Sequence, residues 1–230
     1  MPKLNTSWEE QLRQIQQKLS LIEIILSLKN RDWHITAASN QSAIFDIAED
    51  LDHFPYGYLL WESAIGLAQF MEVEPSRVAG KRVLELGAGL GLSSMVARSL
   101  GAEVWQTDHL PGVLAVARHN SQQNEIEGIQ QFSADWRTWR HTEQYDVLLG
   151  ADILYEKQIQ FALEQVFRTA LAPHGTLLLS DPQRSQSFLF IAELENRGWR
   201  FSMETLQVCS KGSIEPTPVE VVIYVGNRET

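Results

Sequence analysis

The chain has 230 residues, of which 44% are hydrophobic, so it is long and apolar enough to bury the core of one large domain. Its formal net charge of −10 disfavours nucleic acid as a partner and favours proteins, peptides or small molecules. The single cysteine, Cys209, excludes an internal disulfide and a cysteine-cluster zinc site, and the six histidines show no metal-ligand spacing. We therefore predict a metal-free protein of the reducing cytoplasm with no membrane-spanning segment.

Residues 1–52 are predicted to form an N-terminal helical extension. Apolar residues recur at helical spacing over residues 7–29, and Ser7 and Glu10 form a capping box at the start of this helix. The apolar stripe suits packing on the main domain or on a second copy of the chain, so monomer and dimer both remain open. Alternating patches around residues 39–41 predict a short hairpin.

Residues 53–230 are predicted to form the main domain. After a helix over about residues 61–71, helical stretches separate five apolar runs, at 82–86, 102–107, 129–133, 145–150 and 175–180. This alternation predicts a parallel sheet. Two more runs, at 199–208 and 219–225, have no helix between them and should pair as an antiparallel hairpin. The predicted fold is α/β, with a Rossmann-like, seven-stranded, mostly parallel sheet and helices on both faces.

The first strand of this sheet leads into a glycine-rich turn. The sequence from Gly87 to Gly91 is Gly-Ala-Gly-Leu-Gly, and a helix follows it. Glycines at such a turn let the backbone pass close beneath a ligand, because a side chain would occupy the volume of the ligand. The pattern predicts a nucleotide-like ligand at Gly87, Ala88, Gly89 and Gly91, although a tight turn that simply needs glycine would look the same.

Acidic residues end three successive predicted strands. Asp108 lies about 20 residues after the glycine turn, where a carboxylate accepts hydrogen bonds from two ribose hydroxyls. Asp135 is predicted to accept from the exocyclic amine of adenine while the neighbouring Trp136 covers the ring. Together with Glu85, these acids should lie along one crevice at the carboxyl ends of the strands.

Three further segments complete a pattern that resembles a known family. The fourth strand runs into Ala151-Asp152-Ile153-Leu154-Tyr155, an acidic-x-x-aromatic signature; residues 54–64 are rich in aromatic residues; and residues 181–184 read Asp-Pro-Gln-Arg. From about Tyr56 onward the chain resembles the class I, seven-β-strand protein-lysine methyltransferases of methyltransferase family 16. The last segment is similar to the Asp-Pro-Gly-Arg of the electron transfer flavoprotein β-subunit lysine methyltransferases, with Gln183 in place of the glycine.

The resemblance implies S-adenosylmethionine as the cofactor, S-adenosylhomocysteine as the product, and Trp61 and Ala151 as further cofactor contacts. It also implies that Asp152 and Tyr155 are the catalytic residues on the acceptor side. A lysine ammonium, with a pKa near 10.4, has no free lone pair and must lose a proton before it attacks the methyl group. The carboxylate and the tyrosine would orient the amine for in-line displacement, so we predict methyl transfer to a lysine of a protein substrate.

Three other functions remain possible at this stage. A small-molecule N- or O-methyltransferase would share every cofactor residue. An NAD(P)-dependent oxidoreductase is disfavoured because Leu92 stands where the GxGxxG fingerprint requires glycine. A non-catalytic binding module could keep the same fold. A nucleic-acid substrate is disfavoured because the fourth strand is not followed by Asn/Asp-Pro-Pro-Tyr, and the basic-aromatic run at 136–140 indicates a solvated loop.

Overall fold

The structure is a computed structural model that describes residues 7–29, 31–45, 55–209 and 218–228. Its strands are β1 (Leu21–Leu28), β2 (Arg31–Ala38), β3 (Arg82–Leu86), β4 (Glu103–Asp108), β5 (Gln130–Ser133), β6 (Tyr145–Ala151), β7 (Leu171–Asp181), β8 (Trp199–Cys209) and β9 (Pro218–Arg228). Its α-helices are α1 (Trp8–Lys18), α2 (Gln41–Phe45), α3 (Glu62–Val73), α4 (Leu92–Ser99), α5 (Pro111–Gln123), α6 (Gln160–Ala170) and α7 (Ser185–Asn196).

Strands β3 to β9 form one seven-stranded sheet in the order β5-β4-β3-β6-β7-β9-β8. The first five strands in this order are parallel, and β9 pairs antiparallel with both β7 and β8. Successive residues of β3 point to opposite faces, so Val83 packs with α3, α4 and α5, and Leu84 packs with α6 and α7. Because helices cover both faces, β3 is a nearly continuous apolar run. The predicted α/β fold with its C-terminal hairpin is confirmed.

The N-terminal helix is shorter than predicted. It begins where expected, because the Ser7 side chain accepts a hydrogen bond from the Glu10 backbone N–H, but it ends at Lys18, and residues 21–28 form a strand instead. The prediction of a helix over 7–29 was therefore wrong in its second half. At eight residues, this segment fits the apolar spacing of a helix as well as that of a strand. Its sequence is Leu-Ile-Glu-Ile-Ile-Leu-Ser-Leu, and the three isoleucines favour extended backbone.

The position of the predicted N-terminal hairpin was also wrong. The chain reverses between Leu28 and Arg31, and β1 and β2 pair antiparallel as a separate two-stranded sheet. Near residues 39–41, Asn40 instead starts helix α2, since its side chain accepts a hydrogen bond from the Ala43 N–H at 3.0 Å. The expected domain boundary after residue 52 lies outside the described residues.

Helix α1 packs on helix α5 of the main body. Leu12 is buried in the same core cluster as the sheet, Ile15 lies against Gly112, and the Arg118 guanidinium is 5.9 Å from the centre of the Trp8 ring system. The apolar stripe of α1 is thus covered within one chain. Dimerisation through this helix stays a prediction. None of the helices in the described ranges is long and apolar enough to cross a membrane.

Two asparagines at the C-terminal end of α5 attach β2 to the domain, namely Asn120 in the last turn of the helix and Asn124, the capping residue that follows it. The Asn120 side chain accepts from the Thr36 N–H at 2.8 Å and donates to the Thr36 carbonyl at 3.2 Å and the Leu90 carbonyl at 3.0 Å. The Asn124 side chain likewise accepts from the His34 N–H at 2.8 Å and donates to the His34 carbonyl at 2.7 Å. The amides therefore satisfy backbone groups of β2 that point away from β1.

Replacing Asn120 with alanine should lower the free energy of unfolding by about 2–4 kcal/mol, because it leaves buried donors and acceptors of Thr36 and Leu90 without partners. Chemical denaturation at equilibrium measures this loss. Gln122→Ala removes an exposed amide from the same helix and should change stability by less than about 0.5 kcal/mol. Equal effects of the two substitutions would contradict the proposed role of Asn120.

Candidate active site

A cavity of about 640 Å³ opens where the parallel strands end. Its wall includes residues that follow β3, β4, β5, β6 and β7 in turn, because the carboxyl ends of parallel strands share one edge of the sheet. Among the predicted site residues, nine line it, namely Trp61, Gly87, Gly89, Asp108, Asp135, Trp136, Ala151, Asp152 and Tyr155. Glu85, Ala88 and Gly91 lie outside this lining.

The glycine-rich turn forms one wall of the cavity. Gly87 has φ 65°, and a Cβ built on it would lie 3.0 Å from Ile153 and 3.3 Å from Trp136. Gly89 has φ 51°, and its N–H donates to the Asp108 carboxylate at 3.2 Å. Side chains at these positions would strain the backbone and narrow the space in which a ligand approaches it.

Glu85 lies behind the turn, where its side chain fixes the start of α4. It is 1% exposed, and its carboxylate accepts hydrogen bonds from the backbone N–H and the hydroxyl of Ser94, in the first turn of that helix. Burial raises the pKa of the Glu85 carboxyl to about 7, against the opposing effect of these hydrogen bonds. Glu85 therefore fixes the start of α4 and, with it, the glycine turn that precedes this helix.

Asp108 presents a nearly buried carboxylate at the end of β4. Besides Gly89, it accepts from the Leu110 N–H at 3.1 Å, and its Oδ1 lies 3.3 Å from His109 Nδ1. The hydrogen bond to Asp108 raises the pKa of the His109 imidazole, although burial opposes this change. Three groups thus fix the orientation of the carboxylate at the cavity wall.

Asp135 follows β5 and is engaged by Arg137. The Arg137 guanidinium contacts both carboxylate oxygens at 2.9–3.1 Å, and the Arg137 N–H donates to Oδ1 at 2.9 Å. These hydrogen bonds lower the pKa of the Asp135 carboxyl. The adjacent Trp136 lies against Gly87, and both Asp135 and Trp136 line the cavity.

Three aromatic side chains enclose another part of the cavity. The Tyr56 ring centre lies 5.9 Å from that of Trp61 and 6.4 Å from that of Tyr155, both in edge-to-face contact. The Trp61 indole N–H donates to the Tyr56 carbonyl at 3.0 Å. Burial raises the pKa of the Tyr155 hydroxyl to about 12, so it stays protonated at neutral pH.

Asp152 does not stand alone at the end of β6. Arg184, just after β7, forms a two-pronged ion pair with its carboxylate, in which Nη2 lies 3.1 Å from Oδ2. The central carbon of the Arg184 guanidinium lies 5.6 Å from the centre of the Tyr155 ring. The sequence pattern placed Arg184 in the Asp-Pro-Gln-Arg segment without assigning it to the site. Its position three residues after a strand-end aspartate was the available signal.

Comparison with known proteins identifies this site. A family model described as lysine methyltransferase matches residues 39–197, more than half of the chain. The chain belongs to this lysine methyltransferase family. It is accordingly an S-adenosylmethionine-dependent methyltransferase. The α1 helix and the β1–β2 hairpin precede the matched residues.

Several curated relatives share about a third of their aligned residues with the methyltransferase. Protein N-lysine methyltransferase METTL21A of Danio rerio is 32% identical over 176 residues, which cover 73% of this chain and 79% of that protein. The electron transfer flavoprotein beta subunit lysine methyltransferase of Danio rerio is 30% identical over 134 residues, 57% of this chain and 52% of that protein. Histone-arginine methyltransferase METTL23 of Mus musculus is 30% identical over 115 residues, 46% of this chain and 44% of that protein. These last two matches span about half of each relative.

Solved structures confirm the fold of the methyltransferase. The N-methyltransferase NodS from Bradyrhizobium japonicum, in complex with S-adenosylhomocysteine, aligns with a TM-score of 0.56 at 15% identity, covering 74% of this chain and 88% of that one. The ribosomal protein L11 methylase from Lactobacillus delbrueckii gives a TM-score of 0.56 at 18% identity, covering 73% of this chain and 79% of that one. At these identities the similarity concerns the fold alone.

The residues of the methyltransferase fit its cofactor. The cavity volume lies in the range of small-molecule sites, and the glycine turn leaves its backbone open to a ligand. The carboxylates of Asp108 and Asp135 and two tryptophans stand at the wall. Carboxylates suit ribose hydroxyls, and aromatic rings suit a purine base. The site therefore offers complementary groups for each part of a nucleoside.

Replacing Gly89 with arginine should weaken binding of S-adenosylhomocysteine by at least about 100-fold, because a long side chain at φ 51° would fill the cavity beside the Asp108 carboxylate. Isothermal titration measures the affinity. The matched control is Gly101→Arg, since Gly101 also has a positive φ, of 95°, but nothing lies within 4 Å of the position that a Cβ would take there. Similar losses in both variants would show that the turn is not the binding site.

Replacing Glu85 with glutamine should make stability less dependent on pH. Because the folded-state pKa of about 7 exceeds the ordinary 4.5, the folded wild type binds this proton more tightly than the unfolded chain, and its stability falls as pH rises from 4.5 to 7. The glutamine variant should gain up to about 3 kcal/mol relative to wild type across that window. Denaturation at several pH values tests this, with the exposed Glu103→Gln as the control, and a constant difference would contradict it.

Proposed function

We propose that this methyltransferase transfers the methyl group of S-adenosylmethionine to the side-chain amine of a lysine in a protein substrate. The observation that carries the proposal is that Asp152 and Tyr155 line the same cavity as the glycine turn and Asp108. A cofactor and an acceptor can therefore meet in one cavity. The protein N-lysine methyltransferase relative, which matches 73% of this chain, supports a lysine acceptor.

The cofactor side of the cavity is assigned to the strands β3, β4 and β5. We expect the backbone of Gly87 and Gly89 to lie beneath the ligand, and Asp108 to accept from the ribose hydroxyls. Asp135 and Trp136 are assigned to the adenine, while Trp61 and Ala151 would contact the remainder. When bound, S-adenosylmethionine supplies an electrophilic methyl group on a sulfonium.

Three predicted cofactor residues are given supporting roles in this proposal. Glu85 bonds to Ser94, the Ala88 N–H donates to the Thr107 carbonyl at 2.8 Å, and the Gly91 N–H donates to the Ala88 carbonyl at 2.8 Å. These contacts keep the turn in its shape. Replacing any of the three would lower the affinity for the cofactor by changing the shape of the turn, and not by removing a contact to the ligand.

The acceptor side is assigned to Asp152 and Tyr155. A carboxylate accepts an N–H of the acceptor amine and so directs the nitrogen lone pair, while the tyrosine ring forms a wall beside it. Asp152 has φ 56°, a left-handed backbone that turns its side chain out of the line of β6. Such strained backbone persists only where the surroundings hold it, and it is common at functional sites.

Replacing Asp152 with asparagine should lower kcat/KM for methylation by about 100-fold or more, because correct positioning of the acceptor commonly contributes that much. Asparagine tolerates the left-handed backbone, so the change preserves the turn while it removes the charge that pairs with Arg184. Affinity for S-adenosylhomocysteine should stay within about threefold of the wild-type value, because Asp152 is assigned to the acceptor. Replacing a residue that binds the cofactor would instead lower this affinity. Glu156→Gln, a neighbouring cavity residue, is the control.

The acceptor class is tested with labelled S-adenosylmethionine and a lysate divided by a small-pore filter. Label on a retained protein, mapped to lysine by mass spectrometry, supports the proposal. Label in the filtrate would favour a small-molecule acceptor, and label on arginine would favour the chemistry named for the METTL23 relative. Label on no fraction, with intact cofactor binding, would favour a non-catalytic module.

A further inference from the structure

The acceptor end of the cavity already contains a cation. Both ends of the Arg184 guanidinium approach the Asp152 carboxylate, whose side chain is only 6% exposed, and Nη1 also lies 3.5 Å from the buried Asp181 carboxylate. The guanidinium carbon lies 5.6 Å from the centre of the Tyr155 ring. A guanidinium thus occupies the positions at Asp152 that a substrate ammonium would take.

The backbone holds this ion pair in place from both strands. Asp152 follows β6 at φ 56°, and its N–H donates to the Ser180 carbonyl of β7 at 2.9 Å. Gln183 stands at φ 62° immediately before Arg184, whose own N–H donates to Asp181 at 2.6 Å. Two non-glycine residues with left-handed backbone therefore flank one ion pair, which indicates a fixed arrangement and not a chance surface contact.

A substrate ammonium is a weak competitor for this carboxylate. The guanidinium is planar and matches a carboxylate with two parallel hydrogen bonds, whereas an ammonium is a compact, strongly hydrated point charge. Arg184 is also tethered beside its partner, and a separate ligand must be brought from solution. Two other acids lie near the pair: the charge of Glu62 opposes the lowering of the Arg184 pKa by burial, and the charge of Glu156 helps to raise the pKa of Tyr155.

We infer that Arg184 is a positioning residue: its guanidinium neutralises the Asp152 carboxylate, so the acceptor site binds an amine in its neutral form and not as an ammonium. This rests on the proposed function in one respect, namely that an amine enters this end of the cavity. The amine leaves its proton in solvent and donates an N–H to a remaining lone pair of Asp152. Its own lone pair stays free, which an ammonium bound at the same place would not offer.

The test measures binding of Nα-acetyl-lysine methylamide to the S-adenosylhomocysteine-loaded protein by NMR titration between pH 7 and pH 9. The lysine pKa is near 10.4, so the neutral fraction and the wild-type affinity should rise about tenfold per pH unit. The corresponding norleucine compound, which lacks the amine, should show no such slope. Tyr155 does not interfere, because burial raises its pKa to about 12.

Arg184→Gln should reverse this behaviour. The exposed Asp152 carboxylate would then bind the ammonium, so affinity at pH 7 should increase by about tenfold or more and vary less than about threefold up to pH 9. Asp152→Asn in the same background should abolish that gain. Unchanged affinity for S-adenosylhomocysteine verifies that each variant is folded.

The outcomes separate this inference from the proposed function. A wild-type affinity that is constant with pH would mean that the ammonium displaces Arg184, which overturns the inference even if Arg184→Gln does not fold. Absence of probe binding at pH 9 would overturn it as well. If the slope is present but no protein lysine is methylated, the proposed function fails and the role of Arg184 stands.

Discussion

Parallel pairing of β3, β4, β5, β6 and β7 is the constraint on which the rest of this structure depends. Because these strands run in one direction, their last residues collect at one edge of the sheet, and the turns that follow must form the cavity. The glycine turn, Asp108, Asp135, Asp152 and Arg184 are far apart in sequence, yet they share one wall for this reason. The antiparallel β9 and β8 extend the sheet beyond β7.

Local patterns were sufficient to predict this edge and nine of the residues that line the cavity there. Apolar runs of strand length separated by helical stretches determine a parallel sheet, and a glycine turn or an acid after each run then has a known position. The N-terminal part could not be predicted in the same way. Residues 21–28 fit a helix and a strand equally by spacing, and the partner that decides between them, β2, is held by asparagines more than 80 residues away.

The side-chain pairings at the site could not be predicted from the sequence either. Asp135 was expected to face a ligand with a free carboxylate, but Arg137 bonds to both of its oxygens. Asp152 was expected to orient the acceptor together with Tyr155, but Arg184, 32 residues later, is its ion-pair partner. Both pairings depend on loop backbone, including left-handed Asp152 and Gln183, and no period or motif predicts such conformations for residues other than glycine. Gln183 takes this conformation where the similar family segment has glycine.

Helix α5 connects two parts of the molecule that look independent in sequence. Its first turn follows Asp108 at the cavity wall, its last turn carries Asn120, and Asn124 caps its C-terminal end; the two asparagines hold β2. A ligand that requires α5 to be in place must therefore also oppose the detachment of the hairpin, by thermodynamic reciprocity. Backbone amides of Thr36 and His34 would then exchange with solvent more slowly when the nucleoside site is filled, although neither residue lines that site.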